Sequence, residues 1–232
     1  MVASGMKKED PFYQAQLKKD RQGFWARYLN VENWINRPLA SLLVRLLFHS
    51  PVTPNQLTVV AFILGLGAAA LFAVGSAASS MGAAVLCQIA LVFDCADGML
   101  ARARNSCSRF GSFLDLFLDR ISDFAVMLGV AVGFYRAGGA DKDRLILGLL
   151  VISLYMLQVI LYYIFNRFLD AKNGESGEGR ALGIFIFFIL GMLNRLDLII
   201  YAMLAETVLN LVYRVSCFLL AGWRSERQQL PL

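Results

Sequence analysis

Charge is scarce in this chain of 232 residues: Asp, Glu, Lys and Arg together make up 17% of it, against about 25% in an ordinary soluble domain. With 58% hydrophobic residues and a mean hydropathy of +0.58, that scarcity excludes a soluble or a disordered chain. Histidine is almost missing. His49 is the single one; it lies between a Leu-rich segment and Pro51 and reads as a boundary residue, so His-based acid–base or nucleophilic catalysis is not expected. The four cysteines, Cys87, Cys95, Cys107 and Cys217, form no CxxC pair, which leaves a Cys/His zinc site without ligands at metal spacing. They read as reduced packing residues. No apolar h-region occupies the first twenty residues, so no cleavable signal peptide is expected, and no internal repeat is present. Any catalysis must then rest on carboxylates.

What the chain does have is long apolar runs. At about 20 residues per crossing, Gln56–Gly75, Met81–Ala103, Phe110–Tyr135, Leu145–Phe165, Ala181–Leu193 and Leu198–Trp223 predict six transmembrane helices in an all-α integral membrane fold. The fifth run is short and needs its flanks to cross. Before them, from Pro38, Leu39, Leu42, Leu43, Leu46 and Leu47 share one helical face while Arg37, Ser41 and Arg45 share another, a pattern that predicts an amphipathic juxtamembrane helix on the membrane surface. Trp25, Tyr28 and Trp34 precede it and suit the interface. The expected organisation is an N-terminal arm with that helix over 1–50, a six-helix catalytic domain over 51–225 and a tail over 226–232.

Basic residues orient this plan. The N-terminal arm, the turn with Arg102, Arg104 and Arg109, the Gly-rich loop ending at Arg180 and the C-terminal tail hold most of the 22 Lys and Arg, whereas the opposite connections hold Arg136, Lys142, Arg144 and Arg195. The positive-inside rule then puts both termini and the basic turns in the cytoplasm. The net charge of +5 is mostly this asymmetry, and nucleic-acid binding is not expected. Gly65, Gly67, Ala68, Ala69 and Ala70 read as small residues that permit close helix approach.

Against this background the second and third spans carry Asp94, Asp97, Arg102, Asp115, Asp119, Arg120 and Asp123, although a charge at mid-helix costs about 2.5–3.5 kcal/mol on an insertion scale. Asp94, Asp97, Gly98, Ala101 and Arg102 follow i, i+3, i+4, i+7, i+8 spacing, one stripe of a helix; Gly111, Asp115 and Asp119 form the matching stripe on the next. Two antiparallel helices joined by a short turn, from about Ala103 to Arg109, can face these stripes toward each other. Four converging carboxylates suit two hard divalent ions such as Mg or Mn, and Gly98, Ala101 and Gly111 leave room for a pyrophosphate that Arg102 could clamp. Asp119, deepest on its stripe, is the best placed base for a hydroxyl attacking phosphorus. The same carboxylates would equally serve an ion- or proton-coupled transporter.

The spaced set Asp94-x2-Asp97-Gly98-x2-Ala101-Arg102-x8-Gly111-x3-Asp115-x3-Asp119 resembles the signature of the CDP-alcohol phosphotransferase family at every defined position. The likeness extends through Thr53-Pro-Asn-Gln-Leu-Thr58 and the six-span plan. It implies that Asp94, Asp97 and Asp115 hold a pair of divalent ions with Asp119 near them as general base, and that Asn55, Thr58, Gly98, Arg102 and Ser108 surround the CDP part of a donor. The implied reaction moves a phosphoryl-alcohol group from a CDP-alcohol to an acceptor hydroxyl, releasing CMP, at the cytoplasmic edge of the bilayer and in a homodimer.

Within that family CDP-diacylglycerol and soluble CDP-alcohols such as CDP-inositol remain open as donors. Glycerol phosphate, inositol phosphate, serine, inositol and diacylglycerol remain open as acceptors. The stretches Phe24-Trp-Ala-Arg-Tyr-Leu-Asn30, Asn36-Arg-Pro38 and Thr53-Pro-Asn-Gln56 resemble the membrane domain of enzymes that make inositol phosphodiesters, although no preceding nucleotidyltransferase domain is expected. Arg104, Arg109 and Arg180 at the cytoplasmic mouth, with Arg120 and Asp123, are candidates for binding a phosphorylated acceptor or for supporting the site.

Overall fold

The structure, a computed structural model, describes residues 35–168 and 178–228. Among these residues it is all helical: α1 Arg37–Leu47, α2 Pro54–Val74, α3 Ala77–Ala103, α4 Arg109–Ala137, α5 Lys142–Phe168, α6 Glu178–Met192 and α7 Leu196–Gln228. Helices α2 to α7 answer the six predicted spans one for one. Four of them, α2, α3, α5 and α7, are long and apolar enough to cross a membrane. Helix α4 has the length but carries Asp115, Asp119, Arg120 and Asp123, and α6 has only 15 residues. The interfacial Trp25, Tyr28 and Trp34 and most of the Gly-rich loop lie outside the described residues. The helix expected from Ala181 already begins at Glu178, and α7 runs past the expected domain end at 225.

Local chemistry sets the helix ends. Thr53 is the N-cap of α2: its hydroxyl accepts from the Gln56 N–H at 3.3 Å while the Gln56 side chain accepts from the Thr53 N–H at 2.9 Å, a reciprocal capping box with Pro54 in the first turn. Ser76 and Ser79 repeat the box at α3. Between them Gly75 ends α2 with φ 79 and bonds back to the Phe72 carbonyl. A side chain there would also strike the Gly133 carbonyl at 2.8 Å, so glycine is required on both counts. Arg136, in the last turn of α4, donates to the Ala73 carbonyl at 2.8 Å and closes the α2 C-terminus from outside.

Helix α2 is the centre of the bundle. It packs along both α3 and α4, while α3 and α4 have no comparable contact with each other. The two acidic helices are therefore not packed face to face, as their shared short turn predicts; α2 fills the space between them. Small residues make this close. A Cβ at Gly129 or Gly133 would collide with the Ala69 or Phe72 carbonyl, and one at Gly65 with the Ser122 hydroxyl, so backbones approach where lipid-embedded helices gain most of their packing energy. The expected role of Gly65, Ala68 and Ala69 holds, all three being buried, whereas Ala70 is exposed. The core where α2, α4, α5 and α7 meet is built on Phe72, Val130, Val151, Ile199 and Ile200.

Helix α1 appears where predicted and is also docked on α3. Ala40 and Val44 are completely buried against α3, and Leu39, Leu42 and Leu46 point outward, 49%, 58% and 73% exposed. Asn36, just before α1, accepts a bond from Gln88 in the middle of α3, while carbonyls at the other end of α1 meet Arg104 at the end of α3. Eleven residues of α1 span about 16 Å and Gln88 to Arg104 about 24 Å, so α1 runs lengthwise beside the last half of α3.

Candidate active site

The site is assembled from three helix ends. From α2, the capping box fixes the first turn and so aims Asn55 and Thr58. From α3 comes the stripe of Asp94, Asp97, Gly98, Ala101 and Arg102. From α4, Ser108 is the N-cap, its hydroxyl accepting from the Gly111 N–H at 2.9 Å, and Gly111 and Asp115 follow. The connecting turn reverses through Asn105 at φ 52, a left-handed position that asparagine tolerates, and closes with Ser106 N–H on the Ala101 carbonyl at 2.9 Å.

Asp94, Asp97 and Asp115 meet: one carboxylate oxygen from each lies within 4.8 Å of the others. Asp97 is buried, 5% exposed, and its Oδ2 accepts from the Thr58 hydroxyl at 2.6 Å. Three carboxylates this close, one out of water, repel strongly. An all-oxygen set of this kind fits a hard divalent cation, which converts the repulsion into coordination. The donor set therefore fits the metal expected from the sequence. It is the single such group among the described residues.

The neighbouring signature residues gather around it. Gly98 lies under the Arg102 guanidinium, 3.2 Å from where a Cβ would stand, so the glycine makes room for the arginine to fold back along α3. A Cβ at Gly111 would sit 3.1 Å from Asn55 Oδ1 and 3.0 Å from Ser108 Oγ, which brings Asn55, Ser108 and Gly111 together. Ala101 is half-buried and Arg102 exposed.

The remaining expected residues lie at the end of α3 and on α4 and α6. Asp119 lies one turn beyond Asp115, half-buried, outside the group of three. Arg120 pairs with Asp123 at 3.3 Å along α4, a bond within one helix. Arg109 is exposed at the start of α4. The Arg180 side chain lies outside the described residues. Arg104 departs most from expectation, because its guanidinium turns from the mouth to the carbonyls of Leu47, Phe48, Ser50 and Val52. Its place between Arg102 and Arg109 suggests one more cation at the mouth, and the spacing carries no signal of its four main-chain partners.

Residues 51–219 match the CDP-alcohol phosphatidyltransferase family. The chain belongs to this family. As a CDP-alcohol phosphatidyltransferase it is an enzyme of the integral membrane, and the transporter reading of its carboxylates is set aside. It is 31% identical over 167 residues to the archaetidylinositol phosphate synthase of Pyrococcus horikoshii, covering 71% of this chain and 82% of that protein. It is 34% identical over 128 residues to the phosphatidylinositol phosphate synthase of Corynebacterium glutamicum, covering 55% of each. The bifunctional IPC transferase and DIPP synthase of Aquifex aeolicus is 44% identical over 116 residues, half of this chain but 24% of that one.

Solved structures share the fold. The phosphatidylinositol phosphate synthase of Mycobacterium tuberculosis with CDP-DAG bound superposes with a TM-score of 0.61 at 22% identity, covering 77% of this chain and 92% of that one. The same enzyme in complex with manganese and citrate gives 0.59 at 23% identity, covering 76% and 87%.

Proposed function

We propose that this CDP-alcohol phosphatidyltransferase moves the phosphatidyl group of a CDP-linked lipid to a hydroxyl of inositol phosphate and releases CMP. The observation that carries the reading is the meeting of Asp94, Asp97 and Asp115 from two helices, with Thr58 bonded to Asp97. The acceptor is supported by the relatives, two of which are named archaetidylinositol phosphate synthase and phosphatidylinositol phosphate synthase, and the donor by the CDP-DAG bound to the mycobacterial enzyme.

In this reading Asp94, Asp97 and Asp115 hold two divalent ions, Mg or Mn, with Asp119 beside them. When bound, such ions offset the negative charge of the pyrophosphate and of the departing CMP. Arg102 binds phosphate oxygens with its fork, over a backbone that Gly98 and Ala101 keep uncrowded. Asn55, Ser108 and Gly111 border the nucleotide side. Asp119 takes the proton of the acceptor hydroxyl as its oxygen bonds to the phosphorus next to the lipid; the P–O bond to CMP breaks and CMP leaves with the electron pair. Arg109, Arg120 and Arg180 are the cations proposed for the acceptor phosphate. Helices α2 to α7 all cross the bilayer, the termini and the site face the cytoplasm, α1 lies at that membrane edge, and the enzyme works as a homodimer.

The test is a panel of CDP-alcohols against hydroxyl acceptors, using the detergent-solubilised full chain with Mg or Mn and CMP release as readout. CDP-diacylglycerol with inositol phosphate is expected to give the highest rate, and chelation to abolish it. Turnover with serine or glycerol phosphate but not inositol phosphate overturns the acceptor assignment; absence of CMP release with every pair overturns the reaction.

A further inference from the structure

We infer that Arg104 is a positioning residue that sets the donor-binding end of α2 against α3, an inference that rests on the transferase reading above. Arg104 is the C-cap of α3, two residues beyond Arg102, yet its side chain leaves the site. Its Nε donates to the Phe48 carbonyl at 3.1 Å, Nη1 to Val52 at 2.5 Å, and Nη2 to Ser50 at 2.8 Å and to Leu47. All four acceptors belong to one short connector, which begins at the last residue of α1 and ends immediately before the Thr53 N-cap of α2.

The geometry suits arginine alone. Leu47 and Phe48 lie at the C-terminal end of α1, where carbonyls have no intrahelical partner and carry the negative end of the helix dipole. The connector is already curled: Ser50 N–H and Oγ both donate to the Leu47 carbonyl, at 2.9 and 2.8 Å, and Val52 N–H donates to Ser50 Oγ at 3.3 Å. Its carbonyls therefore converge on one point. A planar fork with several fixed donors can meet all of them; an ammonium, a compact point charge, cannot do so with the same geometry.

The consequence reaches the site through short covalent paths. Val52, the last clamped carbonyl, is followed by the capping box and then by Asn55, against Gly111, and Thr58, on Asp97. At its other end Arg104 continues from the segment of α3 that carries Asp97, Gly98 and Arg102. One side chain thus ties the start of α2 to the end of α3. Loss of the clamp leaves the chemistry in place but loosens Asn55 and Thr58 relative to α3, so donor binding suffers before turnover does.

Arg104→Ala and Arg104→Lys are compared with wild type as full chains in detergent. For Arg104→Ala the KM for the CDP-linked donor is expected to rise roughly tenfold with kcat held within about twofold, and Arg104→Lys to fall between. Hydrogen exchange without ligand is expected to speed up over residues 47–58 in Arg104→Ala and less in Arg104→Lys. A purely structural role lowers the unfolding temperature but leaves the KM of the folded enzyme at the wild-type value, and that result overturns the inference, as does unchanged exchange over 47–58. If Arg104→Ala does not fold, Arg104→Lys decides by the same two measurements. If wild type releases no CMP from any donor, the transferase reading fails, and the exchange of 47–58 still decides whether Arg104 orders the start of α2.

Discussion

Thr58 on α2 donates its hydroxyl hydrogen to Asp97 on α3 at 2.6 Å, and both residues are buried. The bond holds one oxygen of Asp97 and so restrains this carboxylate beside Asp94 and Asp115. Hydroxyls in this position act on a metal through its ligand, and their loss typically costs 10–100-fold in metal affinity or activity. For Thr58→Val, close in shape but without the donor, the Mn concentration giving half-maximal CMP release is expected to rise about tenfold, and Thr58→Ser to restore most of it. An unchanged metal requirement removes Thr58 from the site.

Asp119→Asn tests the proposed base. Removing a positioned base typically costs about 10²–10⁴ in rate, so kcat is expected to fall on that scale while half-saturation by metal stays near wild type. Asp94→Asn and Asp115→Asn, in contrast, should lose metal dependence and activity together. Near-normal CMP release by a folded Asp119→Asn enzyme ends the assignment.

The glycines of α3 and α4 carry a stability prediction. A methyl at Gly129 meets the Ala69 carbonyl, whereas one at Gly82 makes ordinary contact with Leu71 at 3.5 Å. Forcing a side chain into a packed backbone contact typically costs about 1–3 kcal/mol. Gly129→Ala is therefore expected to unfold at a lower temperature in detergent and Gly82→Ala at nearly the wild-type temperature. Equal unfolding temperatures contradict the close approach of α2 and α4.

Helix α1 offers two surfaces that a label can separate. A nitroxide at Leu46, 73% exposed, is expected in lipid bilayers to be relaxed by dissolved oxygen more than by a water-soluble nickel complex, and one at Ser41 to show the reverse. The same preference at both positions contradicts an α1 whose outer leucines contact lipid.

The helices were legible because long apolar runs announce them; the caps that set their starts, Thr53 with Gln56 and Ser108 before Gly111, come from the structure. The carboxylate group was legible because charge is so costly within a span that Asp94, Asp97 and Asp115 stand out. Packing direction was not. In a membrane, lipid is as apolar as a protein core, so the leucine face that marks α1 as amphipathic carries no sign that the smaller Ala40 and Val44 make its contact with α3. The spacing of Asp94 and Asp115 likewise brought two stripes together without revealing that α2, through Gly65, Ala69 and Phe72, occupies the space between their helices. Arg104 escaped for a related reason: its partners are carbonyls, which carry no residue-type signal.

Two helix C-termini in this bundle are completed by arginines encoded much later. The carbonyls at the end of α1 are met by Arg104, 52 to 57 residues on, and the Ala73 carbonyl of α2 by Arg136, 63 residues on. During synthesis these ends have such donors only after the next helices have emerged. The opening segment of the bundle thus gains its final bonds in an order dictated by chain growth, α1 when the end of α3 arrives and α2 when the end of α4 arrives. A chain interrupted before Arg136 still lacks the guanidinium that closes its central helix.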